Sequence, residues 1–393
     1  MMRILFFLTY YTPHISGPVK YIERLAKELE KQGNVVSILT SKHPPNLSMF
    51  ERKNGTSIFR IPVLIHLGKG VIMPHLIIKA PICIGRSDIV VVNLPQLEAG
   101  FIALWCKIFN KPLVAIHHTD LSGWNGWWHR LSEGITNLSG KLACSIATII
   151  IPYTNDYAKN SDFLRPYFQK VSPLFPLVNR RLPSQQFTQK LISRFPKTNN
   201  TKYIGYSGRI AKQKKLEDAI AALDILNKSN HNYQWKLLLA GPLAIGETYG
   251  QNLIASIKNR QDISWLKALN DQQLSAFYQH LDALVLPSND RLESFGLVQI
   301  EAMINGCPVV ATDLPGARIP IGLTGMGKLV PPNQPLILAD AIASVVADPT
   351  FCSPDKIRKV KTVFSPPKTT SKFSDLLEQI QRNHCQISHQ RHP

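Results

Sequence analysis

Short apolar runs alternate with amphipathic segments from one end of the chain to the other. The runs at 3–8, 35–40, 89–92, 113–116 and 148–151 predict one series of buried strands, and those at 203–206, 236–240, 283–286 and 309–311 predict a second. Helical patterns lie between them. In residues 21–32, for example, Ile22, Leu25, Ala26 and Leu29 share one face. Strands alternating with helices predict an α/β protein of parallel sheets covered by helices on both faces. The polar, basic stretch 179–200 has no sustained period and separates the two series. Residues 181–200 therefore read as a linker between domains 1–180 and 201–364. Residues 365–393 carry two prolines, a helical pattern over 373–380 and a histidine-rich end expected to be disordered.

One stretch, residues 283–310, carries the chemistry. Its apolar run ends at Leu286, a Pro-Ser-Asn-Asp loop follows, and residues 298–304 form a helical pattern stopped by Gly306 and Pro308. If that helix starts near Phe295, Glu301 sits about two turns in and Glu293 hangs over its N-terminus. The backbone N–H groups of Ser294, Phe295, Gly296 and Leu297 would then face open space. That arrangement suits a phosphate or a polarised sugar hydroxyl, and Gly296 lets the ligand come close.

Glu293 and Glu301, with seven residues between them, lie in the frame PS…ESFGLVQIEAM…G-C-P-V-V-A-T. This block resembles the E-x7-E motif of glycosyltransferase family 4. The resemblance implies the GT-B fold, two doubly wound Rossmann-like domains facing across a cleft, with the C-terminal helix of 365–393 crossing back onto the N-terminal domain, and retaining transfer from a nucleotide sugar. Gly208-Arg209 followed by Lys214 resembles the family's G-R-x-x-x-x-K-G, with Lys215 where the family has glycine. An arginine fork and a mobile lysine charge would together neutralise a departing diphosphate. In AIHHTD, residues 115–120, His118 aligns with a strand-end histidine that faces the transferred sugar in the family. Strand alternation turns His117 away, and Asp120 orients the loop or the imidazole. In YYTPHISGPVK, residues 10–20, Gly17 permits close approach ahead of a helix N-terminus, although Ser16-Gly17-Pro18 replaces the family's paired glycines. The aromatic stretch GWNGWW at 123–128 suits an acceptor site, a membrane interface or core packing alike.

A length of 393 residues with 44% hydrophobic residues fits two or three domains with real cores. No apolar run approaches the roughly 20 residues of a membrane helix, and ILFFL is too short for a signal-peptide core, so a cytoplasmic protein is expected. The six cysteines are scattered without a C-x-x-C pair, as reduced thiols would be. The net charge of +19 is spread over both halves and favours polyanionic partners: nucleotide-sugar phosphates, lipid phosphates or an anionic bilayer. The aromatic and basic interleaving of a nucleic-acid binder is lacking, so no nucleic-acid partner is expected.

The resemblance therefore implies a hexosyltransferase using a donor such as UDP- or GDP-hexose, with a glycan or polyprenyl-linked lipid acceptor. Arg209, Lys214, Gly17 and the backbone of Phe295, Gly296 and Leu297 would hold the donor phosphates. Glu301 and Ser294 would hold the ribose and sugar, and Glu293 and His118 would work at the transferred sugar. No metal cofactor is expected, because no D-x-D-type pair ends a strand. Two other readings use the same pockets: a nucleotide-sugar epimerase of the same fold, which needs no acceptor, and a non-catalytic nucleotide-sugar-binding protein.

Overall fold

The computed structural model describes all residues except 15, 68–69, 122–126, 179–180, 230–231, 245–247 and 391–393. The chain divides into two compact units, Met1–Leu177 with Pro366–Pro393, and Val178–Ser365. In chain order the first unit contains β1 (Arg3–Leu8), α1 (Gly17–Lys31), β2 (Val35–Ser41), β3 (Phe50–Lys53), β4 (Thr56–Ile61), β5 (Ile65–Leu67), β6 (Gly70–Ile72), α2 (Leu76–Gly85), β7 (Ile89–Leu94), α3 (Ala99–Ile108), β8 (Leu113–His117), α4 (Trp127–Ile146), β9 (Ile149–Pro152) and α5 (Asn155–Asn160). Its main sheet runs β3-β4-β2-β1-β7-β8-β9, parallel throughout except for the β3–β4 hairpin.

The two faces of this sheet follow directly from the alternation of side chains along a strand. Leu5 and Phe7 enter one core with Val90, Val92 and the inner sides of α2, α3 and α4. Ile4, Phe6 and Leu8 enter the other with Ile38, Val91 and α1. Every residue of β7 is buried, which is why its first four residues, IVVV, read as a continuous apolar run. Each such aliphatic side chain contributes roughly 1.5–3 kcal/mol relative to exposure to water.

The second unit contains α6 (Gln185–Arg194), β10 (Thr201–Ser207), α7 (Leu216–Ser229), β11 (Gln234–Ala240), α8 (Tyr249–Ser256), β12 (Ile263–Trp265), α9 (Asp271–His280), β13 (Ala283–Leu286), α10 (Leu297–Ile304), β14 (Val309–Thr312), α11 (Ile319–Thr324), β15 (Gly327–Val330), α12 (Pro335–Ala347) and α13 (Pro354–Val363). Its sheet, β12-β11-β10-β13-β14-β15, is parallel throughout. Strand order reverses at β10, with β11 on one side and β13 on the other. In doubly wound sheets ligands bind beyond the strand carboxyl ends at that reversal.

All nine expected strands are present, but three stretches differ from the sequence reading. Residues 181–200 are not a bare linker: Ser184 caps α6, and that helix packs against α9 within the second unit. The β3–β4 hairpin was not anticipated; it turns on Asn54 and Gly55, both at positive φ. The C-terminal helix α14 (Pro366–Gln390) is far longer than the pattern over 373–380, and the expected disorder gives way to helix as far as Gln390. It belongs to the first unit, where Phe373, Leu377 and Ile380 join the core on the α1 side and Phe373 stacks on Phe6 at 6.5 Å.

Candidate functional site

The candidate site of the second unit lies at the carboxyl ends of β10 and β13. Beyond β10 the chain turns through Gly208, whose N–H donates to the Ala240 carbonyl (2.9 Å), and the Tyr206 hydroxyl donates to the Arg209 carbonyl (2.8 Å). These bonds fix the backbone from which the exposed Arg209 side chain projects. A single 3-10 turn, Lys212–Lys214, then carries the lysine, and Lys215 adopts the left-handed conformation with φ 48° and ψ 49°. That conformation accounts for the glycine of the related motif, since a non-glycine residue there costs about 1 kcal/mol.

Beyond β13 the loop to α10 is pinned from below. The Thr312 hydroxyl donates to the Ser288 carbonyl, and the fully buried Gln299 amide donates to the carbonyls of Ala317 (2.8 Å) and Phe295 (3.3 Å). The Phe295 ring is itself buried, edge-on to Phe364, so only its backbone is left to serve a ligand. Helix α10 begins at Leu297 behind Gly296, which is left-handed at φ 72°. The start is two residues later than expected, so Glu301 stands in the second turn and not two turns in. In the first turn of α10 the Gln299 backbone N–H donates to the Gly296 carbonyl (2.9 Å), while those of Leu297 and Val298 precede any intrahelical acceptor.

The two charged residues meet. Lys214 Nζ forms an ion pair with Glu293 Oε2, and the Ser288 hydroxyl donates to the same oxygen (3.1 Å). Both side chains are mostly shielded from water, 17% and 13% exposed, which makes the pair stronger than a surface one. Glu301 is held separately. Its Oε2 accepts from the Tyr278 hydroxyl (3.2 Å), which also lies 3.1 Å from Ser207 Oγ at the end of β10. Burial, then the Glu301 charge, keep the Tyr278 phenol well above its usual pKa, so it remains a donor. Thus Arg209, Lys214, Glu293, Ser294, Phe295, Gly296, Leu297 and Glu301 all fall at one end of one sheet. Tyr278, Ser288, Thr312 and Gln299, which support them, had no local signal in the sequence.

The remaining expected residues lie in the first unit. Gly17 opens α1 behind Ser16, whose hydroxyl accepts from the Val19 N–H, and a Cβ at position 17 would meet no other part of the chain within 4 Å. Packing therefore does not demand glycine there. His118 is buried with both ring nitrogens engaged: Nδ1 with the Tyr153 hydroxyl (2.6 Å) and Nε2 with Asn93 Oδ1 (2.9 Å). His117 is buried as well. It stacks on Phe163 at 5.2 Å, and its Nε2 lies 3.4 Å from Asp120 Oδ1. Asp120 therefore orients His117 and not His118, and it accepts from the Ser161 hydroxyl with both oxygens. Burial pushes each imidazole down to about 3, so both are neutral at ordinary pH. Of the stretch at 123–128, residues 123–126 lie outside the described residues.

A second polar group gathers where the first unit's own strand order reverses, between β1 and β7. Thr9 donates its hydroxyl to Glu98 Oε2 (3.1 Å) and its N–H to Gln96 Oε1 (3.2 Å). Among the described residues, Glu98 Oε1 and Gln96 Nε2 are buried without a partner. Beside them Tyr10 stacks on His14 at 5.0 Å and meets His43 edge-on at 5.3 Å. Burial pushes the Glu98 carboxyl up from 4.5 to about 7. The unfolded chain releases this proton near 4.5 and the folded chain near 7, so stability falls as pH rises through that window and is flat above it. Urea titrations of Glu98→Gln are expected to lack this slope, a difference on the order of 2–3 kcal/mol between pH 4.5 and pH 7. Parallel curves for variant and parent would contradict the buried, neutral carboxyl.

Among the described residues no three His, Cys, Asp or Glu side chains are grouped as metal ligands would be. No helix among them is long and apolar enough to cross a membrane.

Residues 188–360 match the family model described as glycosyl transferases group 1. A glycosyltransferase of Methanocaldococcus jannaschii is 25% identical over 361 residues, 88% of this chain and 90% of that protein. Two solved structures share the fold. Sucrose-phosphate synthase from Thermosynechococcus elongatus does so with TM-score 0.75 at 18% identity, covering 97% of this chain and 99% of its own. HepE of Anabaena, solved in complex with UDP, has TM-score 0.72 at 18% identity, covering 96% of this chain and all of its own.

Proposed function

We propose that this chain, a glycosyltransferase of the GT-B fold, is a retaining hexosyltransferase that takes its sugar from a nucleoside-diphosphate donor bound at the strand reversal of the second unit. The observation that carries the reading is the shielded Lys214–Glu293 pair beside Arg209 and the amino end of α10. These are fixed charges and dipoles placed before any ligand arrives, the arrangement that stabilises charge developing on a leaving diphosphate. Structures of the same fold holding UDP or ADP support a nucleotide at such a site.

In this reading Arg209 and Lys214 take the two phosphates, and the amides from Gly296 onward receive the distal one. Glu301, steadied by Tyr278, accepts from the ribose hydroxyls. Glu293 shares Lys214 with the phosphate and turns its other oxygen to the sugar. The glycosidic C–O bond to the diphosphate breaks, the acceptor oxygen attacks the same face, and the departing phosphate oxygen takes the acceptor proton. His118 reaches a sugar hydroxyl only by exchanging its bond to Asn93 or Tyr153; otherwise it braces the loop that follows β8. The acceptor, a glycan or lipid-linked sugar in glycoconjugate or polysaccharide synthesis, is assigned to the first unit. There the half-buried Tyr10 and His14 offer ring faces to a sugar.

The test is mass transfer from UDP-, GDP- and ADP-hexoses onto glycan and polyprenyl-lipid acceptors. Transfer with retained anomeric configuration is expected. Conversion of the donor without any acceptor would instead make the chain an epimerase.

A further inference from the structure

We infer that the outer sides of α2, α3 and α4 form a docking face for the surface of a bilayer containing anionic lipid. Helix α4 is apolar on two opposite sides. Its inner side places Ala143, Cys144 and Ala147 in the core. Its outer side carries Trp127, Leu131, Ile135, Leu138 and Leu142, spaced four, four, three and four residues apart and all exposed, Leu138 at 70%. At 100° per residue these five fall within one stripe opposite the buried side. The fold does not need that stripe, because the inner side already anchors the helix.

The neighbouring helices repeat the pattern. On α2, Leu76, Ala80 and Ile84 face the core while Ile78 and Ile82, one turn apart, are exposed. On α3, Ala99, Ala103 and Cys106 face the core while Leu104 and Ile108 are exposed. All three helices cover the same face of the sheet, and α3 packs against both of the others. Three outward apolar stripes side by side exceed the scattered single residues normal on a soluble surface.

Charge decides between the possible occupants. Lys79 and Lys107 lie within α2 and α3, Arg86 and Lys111 follow their ends, and Arg130 and Lys141 lie on α4. Helices α2 and α3 contain no acidic residue, and α4 has one, Glu133. A second copy of the chain would bring this cationic face against itself. An anionic bilayer complements both features: aliphatic side chains and Trp127 enter the headgroup boundary, and lysine and arginine reach the lipid phosphates along their own stems. Contact is interfacial, since no helix among the described residues is fit to span. The face stands independently of the identity of the sugar donor.

The experiment is co-sedimentation of the full chain with vesicles of phosphatidylcholine alone or mixed with phosphatidylglycerol, at low and high salt. The parent is expected to sediment with the anionic vesicles at least tenfold more than with the neutral ones, and to be released by salt. The Leu131→Asp/Leu138→Asp variant, both positions exposed and its fold checked by circular dichroism, is expected to lose at least tenfold in binding, and Arg130→Ser/Lys141→Ser a smaller part. Failure of the parent to bind anionic vesicles would overturn the proposal, as would equal binding by the aspartate variant. So would light scattering that shows a dimer which the aspartate variant splits, since a second copy would then cover the face.

Discussion

Lys214→Ala is expected to lower kcat/KM for sugar transfer by about two to three orders of magnitude, the usual loss when one preorganised charge or donor is removed from a developing anion. Two effects add in the same direction. A diphosphate bound here would lose a shielded cation, and Glu293 would lose its ion pair while keeping the Ser288 hydroxyl. Breaking the pair also costs stability, but by no more than about 1–3 kcal/mol, because water reaches both groups in part. Activity should therefore fall far more than the unfolding midpoint moves. Glu293→Ala is expected to give a loss of similar size. The double variant should be little worse than either single one, because both substitutions break one unit. Lys214→Arg keeps the charge and should recover part of the rate. Steady-state kinetics on the four proteins, with urea denaturation alongside, checks this. Full turnover in both single variants would remove the pair from the mechanism.

Gly241→Ala is expected to destabilise the second unit by about 3–5 kcal/mol. A Cβ at this position would stand 1.8 Å from the Gly208 carbonyl oxygen and 2.7 Å from its carbon, on a backbone at φ +146°. The obstacle is main chain and cannot swing aside. Gly208 donates to Ala240 (2.9 Å) and Gly241 donates to Lys267 (2.7 Å), and β10 and β11 are registered along seven residue pairs. Gly208 also opens the turn that carries Arg209, so relief by backbone movement would displace Arg209 and the Lys212–Lys214 turn behind it. Gly17→Ala is the matched control: nothing lies within 4 Å and the residue is helical, so its effect on stability should stay within about 0.5 kcal/mol. Urea midpoints that fail to separate these two variants would contradict the close approach of β10 and β11.

What the sequence disclosed and what it withheld divide along physical lines. Strands buried on both faces, such as β7 and β13, announce themselves as unbroken apolar runs, and the order of strands and helices implies the parallel sheets. Helix α6 does not, because Gln185–Arg194 is mostly polar and buries only Leu191; its helicity is completed by packing on α9. The β3–β4 hairpin carried a readable signal in Asn54-Gly55, but the flanking strand Phe50–Lys53 is largely exposed and lacks alternation. At the candidate site, Arg209, Lys214, Glu293 and Glu301 stood out through their resemblance to family motifs. The pairing of Lys214 with Glu293 joins positions 79 residues apart, and Tyr278 reaches Glu301 from another helix. Such contacts exist only once β10 and β13 lie side by side. His118 shows the converse: its place at a strand end was legible, but its enclosure by Asn93 and Tyr153 was not.

Titration calorimetry of the parent and Lys214→Ala with UDP, GDP and ADP tests the donor site most directly. At least one nucleoside diphosphate is expected to bind the parent and to bind the variant at least tenfold more weakly. Absence of binding by all three, or equal affinity for parent and variant, would contradict a diphosphate site built on Arg209, Lys214 and the amino end of α10.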